Sequence, residues 1–262
     1  MAKAFWKGAI SFGMVTIPVK MYVAATSHGI SFHLLHKKCL TRPKQVLHCD
    51  EDNEYFSIKD TVRGYEYSKG RYAVLKDSDF EKVPVRTTHV IDILGFIKEA
   101  EIDPSYFYGT HYLEPEELAV KPYCLLRETL RKSGRAGIAK ISFQRREHLV
   151  CLRPLDDLLA LNTVHYQDEV LSPSKIEVPK VDITAAELKV AQSLVDVMTT
   201  TFQPDKYKDN YRIALEKIIA AKIQGAEVKA IPEPKVKEIP DLMAALRASI
   251  AAAGKEVATA RK

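Results

Sequence analysis

The spacing of apolar residues divides the chain into two regions. From residue 4 to about residue 180, short apolar and β-branched runs are separated by turn-forming residues. Such runs are typical of β-strands, because alternate side chains point to opposite faces of a sheet. We predict strands at 4–25, broken at Gly13 and Pro18, and at 30–36, 71–75, 89–97, 106–113, 136–143 and 148–155. The first region is therefore predicted to be rich in β-structure.

One helix is predicted to interrupt these strands. Val120–Lys132 carries Tyr123, Leu126 and Leu130, which recur at helical spacing, and Gly134 follows as a stop signal. The segment is long enough for a surface helix that buries one apolar face against the strands. We therefore expect a single helix packed on the β-rich region.

Beyond residue 180 the pattern becomes helical. Thr184-Ala-Ala-Glu187 has the sequence of a capping box, and the apolar residues after it predict a helix of about five turns that extends through Phe202. A second helix is predicted from Asp209 to Gln224, with Gly225 as its stop. A proline-rich linker at 226–240 and a short amphipathic helix at 241–253 follow.

Composition adds few constraints to this pattern. With 46% apolar and 28% charged residues among 262, the chain is typical of folded globular proteins. Its four cysteines are scattered, and we find neither a signal peptide nor a membrane span. We therefore expect a cytoplasmic location and no disulfides.

Positive charge is concentrated in two patches, although the net charge is only +5. Residues 37–48 contain no acidic residue, and residues 127–146 contain Glu128 alone. Such patches suit contacts to a nucleic-acid backbone, which need long cationic side chains and read no sequence. Ordinary solvated loops are the alternative explanation. We find no helix-turn-helix or zinc-finger pattern, so binding to DNA is expected to be independent of base sequence.

A cluster of histidines and cysteines raises a second possibility. Five of them lie within 17 residues: His33, His36, Cys39, His48 and Cys49. The paired spacings typical of zinc sites are missing, so packed cysteines and exposed histidines are favoured over a metal site. We also find no nucleophile elbow, P-loop or paired-carboxylate motif. We therefore expect no catalytic residue, no metal and no cofactor.

Several motifs resemble those of the bacterial Ku family. The segment WKGAISFGMVTIPVK from Trp6 to Lys20 is similar to the opening of these proteins. Further similar motifs are Phe32-His33 with Leu35-His36, RGYEY at 63–67, YLEP at 112–115, Glu187-Leu188-Lys189, and Phe202-x-Pro204-Asp205-x-Tyr207. The resemblance covers about residues 3–225, and DLMAALRAS near the C-terminus is similar to the segment by which the family recruits a ligase.

The resemblance implies a mixed, β-rich fold with three parts. A β-barrel core at 1–180 would carry an arch over DNA at about 37–72. Residues 181–225 would form a helical arm for dimerisation, and residues 226–262 a linker with a short C-terminal helix. Two chains would close into a homodimeric ring that binds double-stranded DNA ends in non-homologous end joining. The ring would recruit the ATP-dependent DNA ligase of that pathway.

The same alignment implies three sets of site residues. The expected DNA-binding residues are Lys37, Lys38, Arg42, Lys44, Lys59, Arg63, Lys69, Arg71, Arg131, Arg135, Arg145 and Arg146, of which Lys59 and Arg63 could instead pair with Asp60 or Glu66. The dimerisation residues are Leu188, Leu194, Val195, Met198 and Phe202. The ligase-recruiting residues are Leu242, Leu246 and Ile250. Two other functions stay open, a protein-interaction adaptor that does not bind DNA and a metal-dependent enzyme that uses the histidine–cysteine cluster.

Overall fold

A computed structural model describes residues 3–83, 89–143, 146–225 and 243–251. The chain divides into two compact units, residues 1–175 and residues 176–262. The first unit contains eleven strands among its described residues: β1 Trp6–Phe12, β2 Val15–Val23, β3 Leu47–Cys49, β4 Glu54–Phe56, β5 Arg63–Ser68, β6 Arg71–Leu75, β7 Val90–Lys98, β8 Phe107–Pro115, β9 Arg135–Phe143, β10 Arg146–Leu155 and β11 Leu158–Val164. It also contains two helices, α1 Asp77–Glu81 and α2 Val120–Ser133.

Seven of the strands close into a barrel in the order β1-β2-β8-β11-β10-β9-β7. Their pairings are antiparallel except at the closure, where β1 runs parallel to β7 and Ile10 lies opposite Ile91. Alternate residues point inwards and form an apolar core, in which Met21, Leu113 and Leu152 have no exposed surface. The alternation of apolar and polar residues along the sequence therefore corresponds to side chains that point into and out of the barrel.

Helix α2 packs its apolar face against this core. Tyr123, Leu126 and Leu130 are buried, and Gly134 ends the helix in the left-handed conformation with φ +61°. The Tyr123 hydroxyl donates to the carbonyl of Leu113 at 2.5 Å and accepts from the backbone N–H of Leu159 at 2.7 Å. One buried side chain thereby ties α2 to two barrel strands, and the predicted helix is confirmed.

The predicted strands are mostly confirmed, with two errors. Pro18 does not break the first strand pair but lies inside β2, where its carbonyl accepts from the N–H of Glu116 at 3.0 Å. Residues 30–36 form no strand. Four strands were not predicted: β3, β4, β5 and β11. The last of these, LLALNTV, escaped because nearly all of its residues are buried on both faces and its sequence does not alternate.

Between β2 and β7 the chain leaves the barrel, and we call its described residues 24–83 the arch segment. It contains two hairpins, β3–β4 and β5–β6, and helix α1. No residue with described burial in this segment is buried. The chain leaves the barrel after Val23 and returns at Val90, and the arch expected at 37–72 lies within this excursion. Nearly all residues of the arch segment are therefore exposed to solvent.

The second unit is helical. Helix α3 Ala185–Met198 begins with the predicted capping box, in which the Thr184 hydroxyl accepts from the N–H of Glu187 at 3.3 Å. Helix α4 Asn210–Ile223 matches the second prediction, and residues 243–251 form a further helix, α5. The predicted linker at 226–240 lies outside the described residues. None of the described helices is long and apolar enough to cross a membrane.

The predicted end of the first helix in this unit is wrong. Helix α3 stops at Met198, and the backbone of Thr199 is extended. Phe202 therefore does not lie on the α3 face, and its ring stacks on Tyr207 with the ring centroids 5.6 Å apart. Three consecutive threonines, 199–201, explain the early end, since β-branched residues lose side-chain freedom in a helix.

Candidate nucleic-acid interface

Seven of the eight DNA-binding cations expected in the arch segment share the properties of a phosphate-binding surface. They are exposed, and none has an ion-pair partner in the described part of the chain: Lys37, Lys38, Arg42, Lys44, Lys59, Lys69 and Arg71. An unpaired exposed cation keeps its charge available to a ligand, and phosphates then compete only with water and salt ions.

Local structure holds five of these cations at or beside two turns. Residues 36–41 form a tight turn, in which the N–H of His36 donates to the carbonyl of Thr41 at 2.8 Å. Lys37 and Lys38 lie in this turn, and Arg42 follows it. At the tip of the β5–β6 hairpin, Gly70 has φ +72°, a conformation that glycine adopts without strain. The flanking Lys69 and Arg71 therefore project from a hairpin tip.

Arg63 differs from the other seven expected contacts of the arch segment. Its guanidinium pairs with Asp77 at 3.3 Å and lies 5.1 Å from the centre of the Phe80 ring. The expected alternative partner, Glu66, instead accepts from the N–H of Gly70 at 2.8 Å. Arg63 is thus held towards α1. We rank it below the seven unpaired cations as a candidate DNA contact.

The second basic patch is largely neutralised by acidic residues. Arg131 pairs with Glu128 at 3.1 Å, and Arg146 pairs with Glu169. Two further cations of the patch, Arg127 and Lys140, pair with Glu128 at 3.0 Å and with Glu147 at 2.8 Å. Of the other expected contacts, Arg135 has no ion-pair partner in the described part of the chain, and Arg145 lies outside the described residues.

The Glu169 carboxylate is held in its charged form. It accepts from the N–H of Tyr166 at 3.0 Å and also pairs with Arg146. These two interactions, the backbone hydrogen bond first, lower the pKa of Glu169 to about 2. Arg146 therefore keeps an anionic partner at every pH near neutrality. The charge of Arg146 is therefore partly compensated, and Arg146 is less available to a phosphate than the unpaired cations of the arch segment.

The structure does not gather the histidine–cysteine cluster into a metal site. Among the described residues no group of three or more potential ligands is suitably placed. Cys39 Sγ contacts His36 Nδ1 at 3.1 Å and Thr41 Oγ1 at 2.9 Å. The hydroxyl of Thr41 contributes most to lowering the pKa of the Cys39 thiol to about 7. His48 is engaged separately by Asp50 and Asn53, both at 3.1 Å.

Exposed tyrosines on the β5–β6 hairpin were missed by the sequence analysis. Tyr65 and Tyr72 lie on opposite faces of this two-stranded ribbon and are 66% and 59% exposed. Aromatic side chains beside cations are suited to contacts with sugars and bases. The alternation in RGYEYSKGRYAV marks this hairpin in the sequence, with Tyr65 two residues after Arg63 and Tyr72 next to Arg71.

Burial disfavours the charged form of two barrel histidines, His111 and His148. The imidazole of His148 stacks on Phe143 with the ring centroids 4.1 Å apart, and its Nδ1 lies 2.7 Å from the hydroxyl of Tyr108. Nε2 of His148 and Nδ1 of His111 have no hydrogen-bond partner in the described part of the chain. Desolvation is the main cause that lowers the pKa of both histidines.

These histidines predict that acid destabilises the fold. A lowered pKa means that the unfolded chain binds protons more tightly than the folded chain, so stability is lost as the pH falls from about 6.5 towards the folded pKa values. We expect the urea midpoint to decline between pH 7.5 and pH 5.5, and to decline less in His148→Phe. The control His33→Phe replaces an exposed histidine of the arch segment and should leave the decline unchanged. An identical decline in His148→Phe would refute the assignment.

Comparisons with known proteins agree with this geometry. A family model described as the Ku70/Ku80 beta-barrel domain matches residues 11–190. The non-homologous end joining protein Ku of Solibacter usitatus (strain Ellin6076) is 40% identical over 253 residues, which cover 97% of this chain and 95% of that protein. The corresponding protein of Koribacter versatilis (strain Ellin345) is 38% identical over 255 residues, with coverages of 96% and 87%. The matches include the arch segment as well as the barrel.

Proposed function

The chain belongs to the Ku family, and from this membership we propose that it binds double-stranded DNA ends without sequence specificity, as a homodimeric ring. The bound ends would then be joined by a ligase in the non-homologous end-joining repair of double-strand breaks. The protein would hold DNA rather than transform it, so neither a catalytic residue nor a cofactor is needed. The expected adaptor function without DNA binding is the main alternative.

The observation that carries this proposal is the unpaired charge of the arch segment. Seven of the expected DNA contacts, all exposed and without an ion-pair partner among the described residues, lie on a segment that buries none of its residues with described burial. A surface of this kind has no role in the core of its own chain, and its positive charge is suited to the negative charge of a duplex backbone. Contacts of this type position DNA without reading bases. A ring adds end specificity, because a closed ring can be loaded only at a free end.

Exposed apolar side chains support the dimer. On α3, Leu188, Val195 and Met198 are 59%, 64% and 60% exposed, while Leu194 is half-buried. A contiguous apolar helix face open to water is costly and is usually covered by a partner. Phe202 stays a proposed dimer residue, although it contributes from the segment after α3. We propose that a second copy of the chain covers these residues.

A gel-shift experiment with three DNA forms tests DNA-end binding. The forms are a linear duplex, the same duplex with both ends blocked by bulky caps, and a relaxed closed circle. We expect retardation of the open linear duplex alone, because the ring must be threaded. Binding should weaken steeply with salt, since each phosphate contact releases counterions. Equal binding to all three forms would exclude a threaded ring, and no binding to any form would favour the adaptor.

We also propose that the C-terminal segment recruits the ligase. Leu246 and Ile250 lie four residues apart on α5 and are half-buried, and the third expected contact, Leu242, lies outside the described residues. A short helix with an apolar stripe is a common form for insertion into a groove on a partner protein. The stripe occupies the position at which the family's ligase-recruiting segment is expected.

Deletion of the residues after Ile239 tests ligase recruitment. The truncated chain keeps the barrel, the arch segment and α3, so we expect DNA affinity to change by less than about twofold. Stimulation of an end-joining ATP-dependent ligase on linear duplex should be lost. The control Arg247→Ala removes one exposed charge of α5 and leaves the apolar stripe intact, so it should still stimulate the ligase. Unchanged stimulation by the truncated chain would reject this part of the proposal.

A further inference from the structure

The arch segment leaves and re-enters the barrel at one end, which we call the arch end. Strand β2 finishes there at Val23, and β7 begins there at Val90. Neighbouring barrel strands are antiparallel apart from β1 and β7, so β10 also begins at this end and β11 finishes there. Arg146, the first residue of β10, therefore lies at the end of the barrel from which the arch segment extends.

The carboxylate of Glu169 meets Arg146 at the arch end. Strand β11 ends at Val164, and the short helical turn that follows, Gln167–Glu169, brings this carboxylate next to the start of β10. Oε1 of Glu169 accepts from the guanidinium of Arg146, which has no other ion-pair partner in the described ranges. The Arg146 side chain is 55% exposed, so a second anion can still approach it from solvent.

The Glu169 side chain is also held by its own loop. Oε2 accepts from the backbone N–H of Tyr166 at 3.0 Å and lies 3.3 Å from Nδ1 of His165. Because these contacts already restrict the side chain, little further entropy is lost when it pairs with Arg146. The backbone hydrogen bond first, and then the pairing with Arg146, hold the pKa of Glu169 at about 2. Protonation therefore does not release Arg146 near neutral pH.

A carboxylate in this position competes with a DNA phosphate for the same cation. A phosphate binds Arg146 only if it displaces Glu169 or shares the guanidinium with it, and a shared guanidinium has less net charge to offer. The seven unpaired cations of the arch segment have no such competitor among the described residues. In the proposed ring, the arch segment would therefore make stronger phosphate contacts than the arch end of the barrel.

We propose that Glu169 limits the affinity of this protein for DNA by competing with the phosphate backbone for Arg146. The inference rests on the proposed binding of duplex ends and adds a residue that adjusts its strength. Each phosphate contact adds to the affinity through counterion release, so a contact that is prevented makes the bound duplex easier to release. Glu169 thereby keeps the binding of DNA reversible.

Glu169→Gln tests the competition. The amide oxygen of glutamine can still accept from the N–H of Tyr166, whereas the negative charge beside Arg146 is lost. We expect the affinity for linear duplex with open ends to rise about tenfold near 0.1 M salt. The slope of log affinity against log salt should steepen by about 2, because a homodimer gains two phosphate contacts. Fluorescence anisotropy across a salt series measures both quantities.

Asp168→Asn is the matched control for Glu169→Gln. Asp168 is exposed and has no ion-pair partner in the part of the chain that the structure describes, so its substitution removes the same charge one residue away. We expect the affinity to change by less than about twofold. The double variant Arg146→Ala/Glu169→Gln identifies the cation, since the gain should disappear and the affinity should fall to within about threefold of Arg146→Ala.

Arg146→Ala gives a second measurement that does not depend on the folding of Glu169→Gln. Because Glu169 already occupies the cation, the affinity should fall by less than about threefold. A fall of about tenfold or more would show that DNA contacts Arg146 despite Glu169, and it would overturn the inference.

The outcomes separate this inference from the proposed function. If the original chain binds open ends and a folded Glu169→Gln binds them no more tightly, the inference alone is overturned. An equal gain in Asp168→Asn, or a gain that survives Arg146→Ala, would also overturn it, because the effect would then not depend on competition for Arg146. If neither the original chain nor Glu169→Gln binds duplex, the proposed function and the inference fall together.

Discussion

We expect Arg42→Ala/Lys44→Ala to weaken binding to linear duplex by about 100-fold or more near 0.1 M salt. Both residues lie in the patch 37–48, which contains no acidic residue, and both are exposed and unpaired among the described residues. A homodimer would lose four phosphate contacts, so the slope of log affinity against log salt should become smaller by about 3 to 4. Fluorescence anisotropy across a salt series measures both quantities.

The matched control for this prediction is Arg131→Ala/Arg146→Ala. It also removes two cations, but both are paired with acidic residues, Glu128 and Glu169. We expect a change in affinity of less than about fivefold and a nearly unchanged salt slope. A larger loss of DNA affinity in the control than in the arch variant would mean that the second basic patch makes the main DNA contacts. The control should be checked for folding, since both ion pairs lie on the barrel unit.

The second large effect is expected at Gly8. A Cβ added there would lie 2.2 Å from the carbonyl oxygen of His89 and 2.3 Å from the ring of Trp6. That carbonyl accepts from the N–H of Ala9 at 3.0 Å, next to the parallel closure of the barrel. The carbonyl cannot move without breaking its hydrogen bond beside the closure, and the Trp6 ring is buried and has little room to shift. Gly8→Ala should therefore lower the free energy of unfolding by about 3 kcal/mol.

Gly29→Ala is the control for this substitution. Its added Cβ would come no closer than 3.8 Å to another residue, which is ordinary van der Waals contact. We expect a change in stability of less than about 0.5 kcal/mol. Urea denaturation followed by tryptophan fluorescence reports on both variants, because Trp6 lies beside the closure. Equal stability of Gly8→Ala and the original chain would show that the barrel closure can shift to accommodate the added Cβ at little cost in free energy.

Most of the barrel could be predicted from its sequence, because inside and outside alternate along the strands. The prediction failed at β11, where burial on both faces removes the alternation. It also failed at 30–36, where Phe32 and Leu34 are 68% and 76% exposed and no strand pairs with them. A strand needs a neighbouring strand, and the apolar pattern of one segment carries no information about its neighbours.

The sequence was enough to propose which cations form the candidate interface, but not which of them are paired with acidic residues in the folded chain. The partner of Arg131 is Glu128, three residues earlier on the same helix, and this pairing is visible in the sequence. The partner of Arg146 is Glu169, which only the folded chain brings near. Likewise, Asp77 rather than the nearby Glu66 holds Arg63. Ranking the cations therefore required the structure.

The arch segment has a consequence for how the protein could be altered. It is inserted between β2 and β7, whereas the barrel closes through β1 and β7. The entropy of closing a flexible insert grows only with the logarithm of its length, so doubling the insert costs about 0.6 kcal/mol. Since none of the segment's residues with described burial is buried, its length can change without disturbing the core. The inner diameter of the proposed ring would then depend on the length of the arch segment and not on the barrel. Arch segments lengthened in steps should give rings with different inner diameters, which accept DNA of different thickness.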